Sequence, residues 1–414
     1  MLIITKKQAG GQLKKIAVIS NTFPPFSGGG VATAQFNLFN KLKEAGYEVK
    51  GFTFFDHGKI KLKENDIIRC GAPKTIFRTV NTILKNYFSR KKNSGYAWQY
   101  AFSVNSAIGC MKINAALKKF APDVVIMPDL GTPNYFIKRP HKSCKMVFVS
   151  HHNALRFLGN PLIEKHSEED AKLVNNLENN GMKNIDKVIC PSEYMKQVFE
   201  ETHDFNGEVT VIPNFVNENL IKSFSELNPR EEMGLVEDTP VIYIPLANTP
   251  VKGSRYMFEI IRRLGTFYQK PLGFYLSGGM TEELAFELKH VPNNIKIYSP
   301  GFLEYEKNIG VIKSCDFGIT PTLLESFGMA ILEANFCGLP FVSFNTGGNK
   351  DITTDDENGY IVDYLDIENL IEKSKLLLSD ETLRKSMSIK TLENASKNFS
   401  SDKTLNSLAD FIFR

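Results

Sequence analysis

The chain has 414 residues, of which 42% are hydrophobic, 11% aromatic and 23% charged. This is ordinary globular composition, and it excludes collagen-like, fibrous and largely disordered proteins while leaving room for two domains with separate cores. The net charge is +4, but residues 1–213 carry +12 and residues 214–414 carry −8. Unless this imbalance is a chance feature of the surface, the first half of the chain faces something anionic.

The six cysteines are scattered, with no CxxC pair and no cysteine–histidine cluster. A disulfide framework or a zinc site is therefore not expected, and a reducing compartment is favoured. No apolar run approaches the ~18 residues of a membrane span, and the N-terminal stretch before Ile16 lacks the apolar segment of a signal peptide. The sequence therefore predicts a soluble, cytoplasmic protein.

Two sets of short apolar runs alternate with helix-length segments along the chain. The predicted strands of the first set are Ile16–Asn21, Val49–Phe55, Val124–Pro128, Met146–Ser150, Lys187–Cys190 and Val209–Ile212. Those of the second set are Val241–Leu246, Leu272–Ser277, Ile295–Tyr298, Phe317–Thr320 and Pro340–Phe344. Continuously apolar strands separated by helices are typical of parallel sheets covered on both faces. The predicted fold class is therefore α/β, with two Rossmann-like, doubly wound domains.

The domain boundary is predicted just after Pro213. The stretch that follows, Glu218–Asp238, is polar and has few residues able to build a core, so it is interpreted as a linker. The predicted domains are residues 1–213 and 214–400, with a C-terminal helix at 401–414 that could cross back to the first domain.

A glycine-rich loop follows the first strand and reads PPFSGGGV from Pro24 to Val31. Gly28, Gly29 and Gly30 leave the backbone open to a ligand at the start of a helix, where N–H groups favour anionic oxygens. The spacing is neither the GxGxxG dinucleotide fingerprint nor the GxxxxGK[ST] phosphate loop. The loop therefore does not favour a nicotinamide-dependent enzyme or a P-loop NTPase. A flexible turn without a ligand is the alternative.

A second motif lies in the segment PTLLESFGMAILEANFCGLP, where Glu325 and Glu333 stand eight residues apart. Glu325 is predicted just before a helix and Glu333 within it, a separation that suits contacts with the two ends of an extended ligand. Gly328 lets the helix N-terminus approach a phosphate. Glu333 lies between Leu332 and Ala334 on an apolar helix and needs a polar partner. An ordinary amphipathic helix with solvated glutamates is the alternative.

This segment resembles the E-x7-E region of the retaining family 4 glycosyltransferases, which have the GT-B fold. The resemblance covers almost the whole chain and rests on the order of several motifs: PPFSGGG, AGYEV from Ala45, PSE at Ser192, Pro213-Asn214, Lys252-Gly253, GGNKDI from Gly347 and NGY from Asn358. It implies two Rossmann-like domains facing across a cleft. The C-terminal domain would hold a nucleotide-sugar donor, and the N-terminal domain would hold the acceptor.

The resemblance also implies roles for residues of the second domain. Glu325 would contact hydroxyls of the transferred sugar, Glu333 the ribose hydroxyls, and Lys252 the diphosphate, whose departure needs charge stabilisation. The backbone at Gly301 and Phe302 would hold the base. The remaining residues expected to line the donor site are Ser326, Phe327, Gly328, Gly347, Gly348 and Asn349.

One departure from the family concerns the phosphate site. The family usually has an arginine about five residues before the lysine, whereas this chain reads LANTPV from Leu246 to Val251. Arg255, in the turn after the lysine, could replace it. Losing one phosphate-binding group that nothing replaces lowers turnover by ~10²–10³-fold, so the departure bears on the strength of the activity and not on the fold.

His151 and His152 follow the predicted strand Met146–Ser150, at the end where ligands bind in α/β sheets. Adjacent residues of a strand point to opposite faces, so the two rings cannot share a metal ion. In the resembled family a histidine here contacts the sugar or a phosphate. His152 is favoured for that role, and His151 is a second candidate for the ligand site. One solvent-facing ring and one packed ring is the alternative.

The segment Thr75–Lys92 combines apolar residues at helical spacing with basic flanks. Such segments are typical of helices that lie on anionic membranes, and residues 1–130 carry 20 Lys or Arg against 7 Asp or Glu. The same spacing is equally expected of a helix that packs on its own domain.

The resemblance implies a retaining, metal-independent hexosyltransferase whose donor substrate is a nucleoside-diphosphate sugar and which needs no cofactor. The expected acceptor is a carbohydrate or lipid-linked glycan, as in polysaccharide biosynthesis, with peripheral contact to an anionic membrane on its inner face as a further expectation. No nucleic-acid partner is expected. Two alternatives remain open: a nucleotide-sugar epimerase of the same fold, and a non-catalytic GT-B subunit that binds a partner protein or polysaccharide. The missing arginine favours the subunit, and Glu325, Glu333 and Lys252 oppose it.

Overall fold

Each half of the chain is built on a parallel sheet of its own. The computed structural model describes residues 14–26, 29–56, 66–90, 95–245 and 248–414. The first unit consists of Met1–Phe215 together with Ser401–Arg414, and the second consists of Val216–Ser400.

The described residues of the first unit form a seven-stranded sheet covered by helices. Its strands are β1 (Lys15–Ser20), β2 (Glu48–Thr53), β3 (Ile67–Arg69), β4 (Val124–Pro128), β5 (Lys145–Val149), β6 (Lys187–Cys190) and β7 (Glu208–Val211). Its helices up to Thr202 are α1 (Gly29–Glu44), α2 (Lys74–Ser89), α3 (Gln99–Phe120), α4 (Pro133–Phe136), α5 (Glu168–Met182) and α6 (Glu193–Thr202). The strand order is β3-β2-β1-β4-β5-β6-β7, with every pair parallel.

The central strands of this sheet are buried on both faces. Alternate residues of β1 enter two different hydrophobic clusters, with Ala17 and Ile19 in one and Ile16 and Val18 in the other. This is the two-residue period of a strand that is covered from both sides, and it explains why the strand reads as one continuous apolar run.

The second unit has the same architecture with six strands among its described residues. Its strands are β8 (Val241–Ile244), β9 (Leu272–Leu276), β10 (Ile295–Tyr298), β11 (Phe317–Thr320), β12 (Phe341–Phe344) and β13 (Gly359–Val362). Its helices are α7 (Glu218–Ser223), α8 (Ser254–Tyr268), α9 (Glu282–Glu287), α10 (Tyr305–Lys313), α11 (Met329–Asn335), α12 (Asn349–Ile352), α13 (Ile367–Ser379) and α14 (Glu381–Asn398). The order β10-β9-β8-β11-β12-β13 is parallel throughout and reverses at β8, where such sheets bind ligands.

The last helix, α15 (Ser401–Phe413), belongs to the first unit. Leu408, Phe411 and Ile412 are buried in the cluster that also holds Ile16, and the Phe413 ring stacks on Tyr47 with 5.6 Å between centroids. The apolar face of α15 therefore completes one side of the first core.

The structure confirms an α/β fold with two Rossmann-like domains and corrects several details. The change of unit falls after Phe215, two residues beyond the predicted boundary. The predicted linker Glu218–Asp238 is part of the second unit, because Ile221 and Met233 are buried in its core. Strands β3 and β13 were not predicted, since each is short and begins beside loop-like polar sequence.

Candidate functional site

Lys252 and Glu325 form an ion pair in the second unit. Lys252 ends a short 3-10 turn, Pro250–Lys252, in the segment after β8, and Glu325 lies between β11 and α11. The Lys252 Nζ and Glu325 Oε2 atoms are 2.5 Å apart, and the two side chains are 21% and 18% exposed. The charges therefore neutralise each other at a place that solvent, and hence a ligand, can still reach.

Two glycines bring the segments around this pair together. A Cβ atom on Gly253 would lie 2.0 Å from the carbonyl oxygen of Pro321, and one on Gly347 would lie 2.0 Å from that of Glu325. Both glycines have positive φ, 77° and 57°. Strands β8, β11 and β12 are neighbours in the sheet, so the segments after them meet at its carboxyl end, and only glycine permits this close approach.

Asn349 contributes a buried acceptor to the same place. Gly328 precedes α11 with φ of 108°, and a Cβ atom there would lie 2.9 Å from Asn349 Oδ1. Asn349 is 1% exposed; its Nδ2 donates to the Phe344 carbonyl oxygen at 3.3 Å, while its Oδ1 accepts from none of the described residues. A narrow cavity is lined by Pro245, Lys252, Thr320, Thr322, Glu325, Gly328, Ala330, Ile331 and Asn349. Four of the predicted site residues thus share one cavity.

Glu333 lies on α11, as predicted, and its polar partner is Tyr305 at the start of α10. The Tyr305 hydroxyl donates to Glu333 Oε1 at 3.3 Å. Burial raises the pKa of the Glu333 carboxyl to about 7, and the hydrogen bond from Tyr305 acts in the opposite direction. Glu333 therefore gains or loses a proton near neutral pH, whereas an exposed glutamate is fully ionised there.

The predicted base-binding residues lie after β10. Gly301 has φ of 81°, and its carbonyl oxygen accepts from the N–H of Gly278 at 3.1 Å. The side chain of Phe302 is 76% exposed. An aromatic ring standing in solvent beside a bent backbone is available for contact with a flat ligand.

The predictions for the residues around Glu325 need one correction. The Ser326 N–H donates to Glu325 Oε1 at 2.9 Å, and Gly348 directly precedes α12. The side chain of Phe327, however, is buried in the second core, against Phe399. Only the backbone of Phe327 can contact a ligand, because its ring is needed for packing.

Arg255, proposed as a substitute for the missing arginine, lies in the first turn of α8 and is exposed. Leu246 and Ala247, where the family arginine would stand, lie outside the described residues.

In the first unit, Gly29 and Gly30 form the exposed start of α1, and Gly28 lies outside the described residues. A Cβ atom on Gly29 or Gly30 would meet nothing within 4 Å. The open space fits a loop that a ligand approaches.

The segment before this loop is held by a buried ion pair that the sequence analysis missed. Arg69 in β3 pairs with Asp56, and it also donates to the carbonyl oxygens of Phe23 and Pro24 at 3.1 and 2.6 Å. Asp56 in turn accepts from the Phe23 N–H at 3.1 Å. Arg69 could not be singled out from sequence because β3 itself was not predicted.

His151 and His152 behave differently. His151 is buried, and its Nε2 lies 2.8 Å from Oδ1 of Asn214. His152 is partly exposed; its Nε2 lies 3.0 Å from Gln99 Oε1, and its backbone N–H donates to Asp129 Oδ2 at 2.6 Å. Burial lowers the pKa of His152 to about 4, so the ring is neutral at pH 7.

Gln99 and Asp129 were also missed by the sequence analysis. Asp129 directly follows the predicted strand Val124–Pro128, so its position at a strand's carboxyl end was a signal that could have found it. Gln99 gave no such signal, because it contacts His152 from the start of a distant helix.

Four of the seven apolar residues of α2 are buried or partly buried, namely Phe77, Val80, Leu84 and Phe88. Phe77 contacts Phe55 edge-on, with 5.6 Å between ring centroids, and Phe88 contacts Tyr100 at 6.4 Å. The others are exposed, namely Ile76 (40%), Ile83 (61%) and Tyr87 (47%).

Among the described residues, no group of three or more His, Cys, Asp or Glu side chains is placed to hold a metal ion. The helices of this same part of the chain include none that is long and apolar enough to cross a bilayer.

Two family models match consecutive parts of the chain. Residues 28–220 match Glycosyltransferase Family 4, and residues 227–393 match Glycosyl transferases group 1. The chain therefore belongs to the group 1 glycosyltransferases of the GT-B fold.

Curated relatives are similar over part of their length. An uncharacterised glycosyltransferase of Methanocaldococcus jannaschii is 27% identical over 221 residues, which are 53% of this chain and 57% of that protein. The N-acetyl-alpha-D-glucosaminyl L-malate synthase of Bacillus anthracis is 25% identical over 235 residues, 56% of this chain and 60% of that protein. The matched region thus spans less than two thirds of these relatives.

Solved structures share the fold over nearly the whole chain. Sucrose-phosphate synthase from Thermosynechococcus elongatus superimposes with a TM-score of 0.71 at 17% identity, covering 97% of this chain and 99% of that one. HepE from Anabaena, solved in complex with UDP-glucose, gives a TM-score of 0.66 at 16% identity, covering 96% and 98%. At these identities the likeness shows the fold alone.

Proposed function

We propose that the protein transfers a hexose from a nucleoside-diphosphate sugar to a carbohydrate or lipid-linked glycan, with retention of configuration at the anomeric carbon. The observation that carries the proposal is the Lys252–Glu325 pair, held by close-packed glycines at the carboxyl ends of three neighbouring strands. Membership of the glycosyltransferase family and the UDP-glucose bound by HepE support it.

Lys252 and Glu325 would divide the chemistry between the leaving group and the sugar. Lys252 supplies positive charge to the departing diphosphate, and charge already in place stabilises a transition state without reorganisation. Glu325, released from part of its ion pair when the phosphate binds, accepts hydrogen bonds from sugar hydroxyls. Because Lys252 provides this charge, the reaction needs no metal ion. No carboxylate is assigned as a covalent nucleophile.

The rest of the second unit would hold the nucleotide. Glu333 accepts hydrogen bonds from the ribose hydroxyls in its ionised form, and the backbone at Gly301 with the exposed Phe302 ring contacts the base. The backbone of Gly347 and Gly348 would lie beside the sugar and phosphates, together with Oδ1 of Asn349, which has no hydrogen-bond partner among the described residues. The first unit, with its basic excess and the histidine pair, would bind the acceptor.

We also propose that α2 rests on anionic membrane and brings the protein to a lipid-linked acceptor. Ile76, Ile83 and Tyr87 are exposed, and the helix contains basic residues but neither Asp nor Glu. Exposed apolar residues and positive charge on one helix are the two requirements for weak interfacial binding.

The function is tested by incubating the protein with a panel of nucleoside-diphosphate sugars, with and without glycan acceptors, and measuring the released nucleoside diphosphate. We expect release from one donor class, stimulated by acceptor and undiminished by EDTA, and a product with the anomeric configuration of the donor. A matched control is Lys385→Ala, since Lys385 forms an exposed pair with Glu381 far from these residues in sequence.

Two results contradict the proposal. Conversion of one nucleotide-sugar into another without acceptor identifies an epimerase. Binding of a glycan without release from any donor identifies a non-catalytic subunit.

A further inference from the structure

The His152 ring is enclosed by side chains from two segments of the first unit. Gln99 Oε1 lies 3.0 Å from its Nε2. The rings of Trp98 and Phe157 lie 5.5 and 4.8 Å away between centroids. These contacts fix the orientation of the imidazole, because each of them would be lost if the ring rotated.

Gln99 is itself held in place. It is 3% exposed and begins α3, where the Asp170 carboxylate accepts the N–H groups of Trp98, Gln99 and Tyr100 at 3.1, 3.0 and 2.9 Å. The backbone that carries the Gln99 side chain is therefore held in place by hydrogen bonds.

The backbone of His152 is fixed in the same way from the other side. Oδ2 of Asp129, at the end of β4, accepts the N–H groups of His152 and Asn153 at 2.6 and 3.0 Å. Ring and backbone are thus both positioned before any ligand arrives.

The hydrogen bond to Gln99 decides which ring nitrogen carries the proton. An amide oxygen only accepts, so His152 donates from Nε2–H, and its Nδ1 then holds a lone pair. An ionised phosphate offers only acceptors and cannot bond to this lone pair, whereas a hydroxyl can donate to it.

Burial keeps the His152 ring neutral, and the charged groups around it modify the effect in both directions. Burial is the main cause of the lowered pKa of His152, Arg156 and His166 lower it further, and Asp129 opposes them. The adjacent His151 is also neutral at pH 7, because burial lowers its pKa. Asp170 faces His166 and the backbone start of α3.

Two more buried atoms near the ring favour a hydroxyl. Asp129 Oδ1 and Gln99 Nε2 have no hydrogen-bond partner among the described residues. One is an acceptor and the other a donor, and a hydroxyl can satisfy both kinds of group while a phosphate cannot satisfy the carboxylate.

We propose that Gln99 is a positioning residue that fixes the neutral His152 imidazole in its Nε2-protonated tautomer, so that His152 binds a sugar hydroxyl and not a phosphate. The identity of this ligand as a sugar rests on the proposed function. The tautomer and charge of the His152 ring do not rest on the proposed function, and both can be measured in the protein without ligand.

The first test is NMR of protein labelled in its histidine rings, with the His152 signal assigned through His152→Gln. We expect Nε2–H tautomer signals that do not titrate between pH 5.5 and 8.

Gln99→Glu places a carboxylate at the ring and should raise the pKa of His152 by about 1–3 units. Gln99→Leu, which removes the hydrogen bond without adding charge, should leave the ring untitrated and lose the tautomer preference. A wild-type ring that titrates near pH 6.5, the Nδ1–H tautomer, or an unmoved pKa in Gln99→Glu overturns the proposal.

The second test separates sugar from phosphate by calorimetry. In Gln99→Leu, binding of the intact nucleotide-sugar or of the glycan acceptor should weaken about tenfold, and whichever of the two weakens identifies the source of the hydroxyl. Binding of the nucleoside diphosphate alone should be unchanged. An equal loss for the nucleoside diphosphate overturns the hydroxyl assignment. If the wild-type protein shows no turnover with any donor, the proposed function is wrong. The NMR test of Gln99 remains decisive in that case, because it needs no substrate.

Discussion

The two units place polar groups of opposite character at the same position in their sheets, the carboxyl ends of the central strands. In the second unit the groups are charged, since Lys252 and Glu325 form an ion pair beside glycines that admit close backbone contact. In the first unit the central group is the neutral His152 ring, which Gln99 holds by a hydrogen bond, while Asp129 accepts the backbone N–H of the same residue. Under the proposed function, the same architecture would therefore provide charge for a leaving diphosphate in one unit and uncharged hydrogen bonding for hydroxyls in the other. What distinguishes the two is the side chains that end the strands.

The largest effect is expected from breaking the ion pair. Lys252→Ala should lower turnover by ~10²–10³-fold, because a charge that stabilises the leaving group is lost. Glu325→Ala should lower turnover without unfolding the protein. Steady-state kinetics with thermal denaturation as the folding control measure both. Full activity in either variant contradicts the assignment of the pair.

The next effect concerns the close approach of the backbone. Gly347→Ala places a Cβ atom 2.0 Å from the Glu325 carbonyl oxygen and should displace that loop, weakening donor binding and lowering the melting temperature. Gly234→Ala is the matched control, because Gly234 also has positive φ (65°) but nothing within 4 Å of its Cβ position. The control should lose only about 1–2 kcal/mol of folding free energy, which is the cost of placing a Cβ atom on a residue with positive φ. Equal losses in the two variants would show that the close contact is unimportant.

A smaller effect should appear at Glu333 as a dependence on pH. Burial raises the pKa of the Glu333 carboxyl to about 7. In the proposed role, ribose binding needs the ionised form. Donor affinity should therefore fall as the pH drops below 7, since protons compete with the ligand. Glu333→Gln should bind the donor more weakly at pH 8, by ~1.5–3 kcal/mol, and should lose the pH dependence. Titration calorimetry at pH 6, 7 and 8 measures this. A wild-type affinity that is constant across this range contradicts the role.

The smallest effect is expected on the surface of the first unit. Wild-type protein should float with anionic but not neutral vesicles at low salt and should be released as salt rises, because the Debye length shortens to ~3 Å at 1 M. Lys85→Glu with Arg90→Glu should weaken flotation by ~1 kcal/mol per residue replaced. Lys118→Glu with Lys119→Glu, at the end of α3, changes the charge equally and should have little effect. Absence of flotation at low salt would leave a soluble glycan as the acceptor.

Strand and helix patterns predicted both sheets because buried parallel strands read as continuous apolar runs, as in Val124–Pro128. The short strand Ile67–Arg69 lacked such a run and was missed. In the site, Lys252, Glu325 and Glu333 stand in motifs and could be named from sequence. Their pairing could not, since Lys252 and Glu325 are 73 positions apart and meet only through the sheet order. Gln99 could not be predicted either, because it contacts His152 from a helix that is distant in sequence.

The central claim is that Lys252 binds the diphosphate of the donor. Calorimetry of wild-type protein and Lys252→Ala, with a nucleoside diphosphate and with the corresponding nucleoside, tests it most directly. The account predicts that the variant loses most of its affinity for the nucleoside diphosphate and little for the nucleoside, because the ammonium charge is directed at phosphate. Equal losses for the two ligands, or no loss for either, would contradict it.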